Sequence, residues 1–164
     1  MYKLVALDLD DTLLNEKGEI SKENREAIIK AQNLGVKIVL ASGRPTGAMM
    51  RFIEELELDK NEGYIVSFNG GQIINCKTKE TIFSQALKVS QIYEVYEEAK
   101  KLECSIITYD GNNIVSEDDD KYIQVEVDLT KMPLEKVESF KQRVNFEGVK
   151  CIVLRCNYDI FWII

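Results

Sequence analysis

Apolar and polar positions along the first half of the chain alternate between two periods. Tyr2–Leu7 is a short unbroken apolar run of the kind a buried strand needs, and it gives way at once to an acidic turn and the polar loop Asn15-Glu16-Lys17-Gly18-Glu19. From Ser21 the pattern becomes helical. Ser21 stands as an N-cap, with Asn24 where a capping box would place Glu or Gln, and Ala27, Ile28, Ala31 and Leu34 recur at helical spacing. Gly35 is the expected stop. Val36–Ala41 reads as a second strand, about Gly47 to Leu56 as a second helix, and Tyr64–Ser67 as a third strand. Gln72-Ile73-Ile74 with Glu80–Phe83 reads as a hairpin. This strand–helix–strand–helix–strand rhythm predicts an α/β fold, a Rossmann-like parallel sheet joined by right-handed crossovers with helices on both faces.

Beyond about residue 84 the rhythm changes. Val89–Leu102 predicts an amphipathic acidic helix, and Ser105–Tyr109 with Ile114–Ser116 a hairpin turning at Asp110-Gly111-Asn112-Asn113. Lys121–Leu129 is read as a strand, Pro133 or Leu134 to Val144 as a helix, Cys151–Arg155 as a strand, and Asp118-Asp119-Asp120 as a solvated loop. The expected organisation is two domains, 1–83 and 84–164, the second a small α+β unit.

Composition narrows the function classes. The 164 residues are 45% hydrophobic and 30% charged, which is globular material with enough apolar mass for a core. Net charge is −7, with no basic run or basic–aromatic stripe, so no nucleic-acid partner is expected. No stretch approaches a membrane span, and Met1–Leu7 is too short for a signal peptide; a cytoplasmic location is expected. The four cysteines lack CxxC spacing and the chain has no His. Buried free thiols are expected rather than a zinc site, and acid–base chemistry falls to carboxylates, Lys, Tyr or Cys. The apolar end Ile160–Ile164 needs a partner, and self-association through it is expected.

In a parallel α/β sheet, ligands bind beyond the carboxyl ends of the strands. The three strand ends here carry Asp8-Leu9-Asp10-Asp11-Thr12, Ala41-Ser42-Gly43-Arg44-Pro45 and Ser67-Phe68-Asn69-Gly70-Gly71. Crowded carboxylates repel, so the first turn calls for a cation, a proton or a hydrogen-bond cage. Asp8 and Asp10, two apart on an extended tip, point to one side. Asp8 can attack phosphorus while Asp10 protonates the leaving oxygen and then activates water. Two carboxylates with phosphoryl oxygens suit Mg²⁺. Ser42, the Gly43 amide and the Arg44 guanidinium are placed to hold phosphate, and Asn69 to line the cleft. Asp11 and Thr12 are read as serving the turn. An isolated acidic turn is as often a plain strand-to-helix connection; two polar motifs at successive strand ends are a more specific signal.

These segments resemble the haloacid dehalogenase superfamily, and within it the Cof-type phosphatases. The likeness rests on LDLDDTLLN, matching the family's DxDxT motif, on ASGRP, matching its second motif, and on VSFNGGQI, matching the segment that leads to the cap. It implies Asp8 as nucleophile, Asp10 as general acid/base, both as Mg²⁺ ligands, and Leu9, Ser42, Gly43, Arg44 and Asn69 around the phosphate of a small phosphorylated metabolite. It also implies that residues from about 84 begin a type 2 cap. The family's third-motif Lys and fourth-motif acidic stretch have no counterpart in this sequence, so the resemblance implies a truncated chain of weak or no activity. The alternatives are a non-catalytic fragment and a phosphoacceptor or binding module.

Overall fold

The computed structural model describes residues 2–146, 151–154 and 162–163, the last six by their backbone alone. It divides into two compact units, Met1–Ser84 and Gln85–Ile164.

The first unit is built on a five-stranded sheet in the order β1-β2-β3-β4-β5: β1 (Leu4–Asp8), β2 (Lys37–Ala41), β3 (Tyr64–Ser67), β4 (Gln72–Asn75) and β5 (Thr81–Ser84). β1, β2 and β3 are parallel, while β4 and β5 add an antiparallel hairpin. α1 (Lys22–Asn33) and α2 (Thr46–Glu55) are the two crossovers. Ser21 caps α1, its hydroxyl accepting the Asn24 N–H at 3.1 Å, and Gly35 follows the helix at φ +81°, a conformation glycine adopts without Cβ strain. The core joins Ile28 of α1 and Met49, Phe52 and Ile53 of α2 to Ile38, Leu40 and Ile65 of the sheet. Fully burying side chains of this kind contributes about 1.5–3 kcal/mol each. One expectation fails on α1. Ala27 and Leu34 are exposed, Leu34 at 63%, and Gln32 is buried instead, its amide donating to the Leu56 carbonyl at 2.7 Å. The buried stripe therefore includes a polar residue that apolar periodicity passes over.

The second unit has its own five-stranded sheet, order β10-β9-β6-β7-β8: β6 (Ser105–Asp110), β7 (Asn113–Ser116), β8 (Leu134–Lys136), β9 (Cys151–Leu154) and β10 (Trp162–Ile163). Its helices are α3 (Val89–Lys101), α4 (Lys121–Thr130) and α5 (Phe140–Arg143). α3 and α5 pack against Ile106 and Val115, with the Tyr96 and Phe140 rings stacked at 5.3 Å. Tyr109, on the opposite face of β6 from Ile106, donates to Glu126 of α4 at 2.7 Å. Gly111, at φ +57°, turns the predicted hairpin.

Four expectations for this unit are corrected. Lys121–Thr130 is a helix, because the Asp120 carboxylate accepts the N–H groups of Tyr122 and Ile123 at 2.8 and 3.1 Å and starts it. By the same contacts Asp120 is a cap rather than part of a solvated loop. The stretch predicted as one helix from Pro133 or Leu134 to Val144 is the strand β8 followed by the short α5, and β8 pairs in parallel with β7. The cysteines also divide. Cys76 is a free buried thiol, with burial pushing its pKa up to about 11, whereas Cys104 is disulfide-bonded, against the expectation of free thiols throughout. At the C-terminal end, Trp162 and Ile163 pair antiparallel with β9; the rest of the apolar tail expected to self-associate lies outside the described residues.

Candidate active site at the carboxyl ends of the first three strands

β1 and β2 run in register, with Asp8 opposite Ala41, so Ser42 follows directly beside the end of β1. The acidic turn after Asp8 alternates as an extended tip should: Asp8 exposed, Leu9 fully buried, Asp10 exposed. Leu9 and Leu13 anchor the turn in the core, and the Leu14 N–H closes it on the Leu9 carbonyl at 2.9 Å. Asp11 sits at φ 56°, a left-handed position that Asp tolerates better than most residues. Thr12 donates its hydroxyl to Asp8 Oδ2 at 3.3 Å, which fits its expected place in the turn. The two carboxylates are thus held outward by what lies beneath them.

The second and third strand ends are stitched together by backbone. The Ser42 N–H donates to Val66 C=O at 2.9 Å, the Asn69 N–H to Ser42 C=O at 3.2 Å, and the Phe68 N–H to Arg44 C=O at 3.0 Å. Ser42 is 8% exposed, and its hydroxyl accepts the Arg44 N–H at 3.2 Å. Phe68 and Asn69 both lie at φ 53°. For Phe that is a strained conformation, costing on the order of 1–3 kcal/mol, of the kind held at functional loops. Gly43 lies close against the third strand end: a Cβ at that position would lie 2.9 Å from Asn69 Oδ1, so the Asn69 side chain would have to shift. The rim is closed by Thr46, whose hydroxyl meets Ser67 Oγ and Gln72 Oε1, each at 2.6 Å.

Arg44 joins the first strand end to the second. Its Nε donates to Asp10 Oδ2 at 3.0 Å and its Nη2 to Asp10 Oδ1 at 2.7 Å, a two-pronged pair. The Arg44 hydrogen bonds hold the Asp10 carboxyl below the usual carboxylate range, burial opposing them. The motifs put both residues in one site, but their pairing was not legible from spacing; it follows from the parallel register, which sets the second loop against the first. In this geometry the Arg44 fork, expected to hold phosphate, is engaged by the Asp10 carboxylate.

Oxygen donors on one turn are the right chemistry for a hard cation. Among the described residues no group of three His, Cys, Asp or Glu side chains converges. Mg²⁺ is often held by one or two carboxylates, with water and phosphate completing its shell. The donor set therefore fits. A polar cavity of about 250 Å³ lined by Gln32, Lys37, Lys60 and Glu62 lies at the amino ends of β2 and β3, the opposite rim of the sheet, apart from this chemistry.

Comparison with known proteins decides the family, because a profile of the haloacid dehalogenase-like hydrolases matches residues 5–160. The chain belongs to that family. Its Cof-type resemblance holds. It is 34% identical over 136 residues to the Bacillus subtilis protein YxeH, named as a candidate phosphatase, covering 82% of this chain and 50% of that one. It is 39% identical over 71 residues to the Bacillus subtilis 5-amino-6-(5-phospho-D-ribitylamino)uracil phosphatase YcsE, covering 43% of this chain and 27% of that one. Among solved structures, a haloacid dehalogenase-like hydrolase from Bacteroides thetaiotaomicron superposes with a TM-score of 0.89 at 41% identity, over 93% of this chain and 58% of that one. TM0651 from Thermotoga maritima shares the fold, with a TM-score of 0.76 at 21% identity, over 94% of this chain and 57% of that one. The chain thus spans half or less of the length of these two curated relatives. No helix among the described residues is long and apolar enough to cross a membrane.

Proposed function

We propose that this chain carries the nucleophile turn and phosphate loop of a Mg²⁺-dependent phosphatase of small phosphorylated metabolites, with Gln85–Ile164 as its cap. The observation that carries the reading is the Asp8–Ala41 register with the Asp10–Arg44 pair, which puts two carboxylates, a guanidinium and the Ser42 loop on one rim.

An Asp8 carboxylate oxygen attacks phosphorus, forming an aspartyl phosphate while the bond to the ester oxygen breaks. Asp10 delivers a proton to that oxygen. Water then attacks the acyl phosphate, Asp10 takes its proton, and Asp8 is regenerated. Ser42 Oγ and the N–H groups of Leu9 and Gly43 are the donors for phosphate, with Asn69 beside them. Mg²⁺, held by Asp8 and Asp10, would neutralise charge building on the phosphoryl oxygens. Paired to Arg44, Asp10 is unprotonated and suited to the base step. The acid step needs its proton affinity raised, and an arriving phosphate that draws Arg44 away from Asp10 does that.

YcsE, named for a phosphorylated ribitylamino-uracil, supports a small phosphomonoester as substrate. The test is hydrolysis of p-nitrophenyl phosphate with Mg²⁺. Asp8→Asn is expected to abolish turnover and Asp10→Asn to lower it about 10²–10⁴-fold. Turnover indifferent to Asp8→Asn overturns the reading.

A further inference from the structure

The last turn of α1 buries a polar side chain of which one end is used. Gln32 is 5% exposed, and its Nε2 donates to the Leu56 C=O at 2.7 Å. Its Oε1 is, among the described residues, the one buried side-chain nitrogen or oxygen with no hydrogen-bond partner. Buried polar atoms are nearly always paired, because an unpaired one gives up its hydration for nothing. The bond to Leu56 accounts for the donor end of the amide and ties α1 to the end of α2. It does not account for the acceptor.

Gln32 is also a wall of the polar cavity of about 250 Å³ at the amino ends of β2 and β3. Leu56 does not line that cavity, so the end of the amide left for it is Oε1. The other polar walls carry charge. Lys37 Nζ meets Glu62 Oε2 at 2.6 Å and Lys77 Nζ meets Glu62 Oε1 at 3.1 Å, so both oxygens of that carboxylate are committed to lysines. Lys60 Nζ stands 3.5 Å from Glu57 Oε2, longer than an ordinary hydrogen bond, and its side chain is 67% exposed. Lys37 and Lys60 against Glu62 give the lining a net positive charge in a chain of −7. An anionic group is therefore favoured at the outer, lysine side and a hydrogen-bond donor at the buried Gln32 side. That donor is neutral, because an ammonium beside Oε1 would be buried with no uncommitted carboxylate to pair with.

We propose that this cavity is a binding site for a small hydroxy carboxylate, whose hydroxyl donates to Gln32 Oε1 while its carboxylate pairs with Lys60 beside Lys37. At about 250 Å³ the cavity lies below the roughly 300–1,000 Å³ of sites that take drug-sized ligands, which suits a molecule of few atoms. It opens at the rim of the sheet opposite Asp8 and Ser42, so the inference is independent of the phosphatase chemistry.

The test titrates the whole chain with L-lactate, propionate, L-alanine and glycerol, following the Gln32 side-chain amide and the Gly35 and Asn61 backbone amides by NMR. L-lactate is expected to shift all three saturably and to raise the unfolding midpoint. Propionate keeps the carboxylate without the hydroxyl, glycerol keeps hydroxyls without the carboxylate, and L-alanine replaces the hydroxyl with an ammonium. Each is expected to bind about tenfold more weakly or less. Lys60→Ser, at an exposed position, is expected to weaken L-lactate binding about threefold or more while the unfolding midpoint of the free chain is retained. Gln32→Met is expected to lower that midpoint through the lost tie to Leu56 and also to abolish the increment that L-lactate adds, which a purely structural Gln32 would leave in place. Where Gln32→Met does not fold, Lys60→Ser and the comparison of L-lactate with propionate decide. The proposal is overturned by the lack of a saturable shift at Gln32, by propionate or L-alanine binding as tightly as L-lactate, or by shifts confined to Ser42, Gly43 and Arg44.

Discussion

In the proposed mechanism, Asp10 is the residue on which the chemistry turns. A general acid needs a proton at working pH, yet the bidentate Arg44 contact stabilises the ionised form. Arg44→Ala is expected to raise the Asp10 pKa towards the ordinary Asp value of about 3.9, visible as an upward shift in a carboxyl-detected NMR titration. The sign follows from linkage. A carboxyl depressed in the folded state contributes stability above its unfolded pKa and loses it as pH falls through the folded one, so removing Arg44 makes the site protonate at higher pH. Two carboxylates at a strand end were readable as candidate chemistry; which cation they meet was not, since it depends on a residue 34 positions away. Gly43 was read as a phosphate-loop residue; what the sequence did not show is the Asn69 side chain lying against it. Gly43→Ala is expected to displace the Asn69 side chain and, on the proposed reading, to lower phosphate affinity about tenfold or more, measurable by ³¹P line broadening or titration calorimetry.

At the scale of elements, legibility followed the balance between local signals and caps. β1 through β3 and the two crossover helices were legible because apolar runs and helical spacing agreed with Ser21 and Gly35 at the boundaries. α4 was not. Tyr122, Ile123, Val125 and Val127 give Lys121–Leu129 a β-branched look, and one carboxylate cap outweighs it. Asp120→Ala removes a cap bonded to two N–H groups and to the Ser105 hydroxyl, and is expected to cost about 1 kcal/mol or more in a denaturant titration. Glu117 ties three elements together. It accepts from Tyr96 of α3, from the Phe140 N–H of α5 at 2.6 Å and from Lys100 at 3.0 Å. Burial raises its pKa, but the Phe140, Lys100 and Tyr96 contacts outweigh that and leave it lowered. Glu117→Ala strands the Tyr96 hydroxyl and the Phe140 N–H. A loss of about 2 kcal/mol is expected, most of it at neutral pH and shrinking as pH falls through the folded Glu117 value, because there the wild-type carboxylate is itself protonated.

For the whole molecule, the alternation of strand and helix was enough to bring three polar strand ends to one rim, and that convergence is the part of the function legible in sequence. What alternation could not specify is strand order. β1-β2-β3 in sequence order leaves β1 at an edge with one sheet face open, and only the register shows which side chains lie on it. The surrounding charge does not favour anions, at −7 overall, so on the proposed reading phosphate recognition falls to Arg44, backbone N–H groups and a bound cation rather than to the field of the protein. The central claim is that the residue ending β1 becomes covalently phosphorylated. Incubating the chain with acetyl phosphate and Mg²⁺, reducing with borohydride and mapping peptides by mass spectrometry tests it directly, since an aspartyl phosphate is converted to homoserine. The account predicts homoserine at position 8, lost in Asp8→Asn. Homoserine at position 10 or 11 instead, or none at position 8, contradicts it.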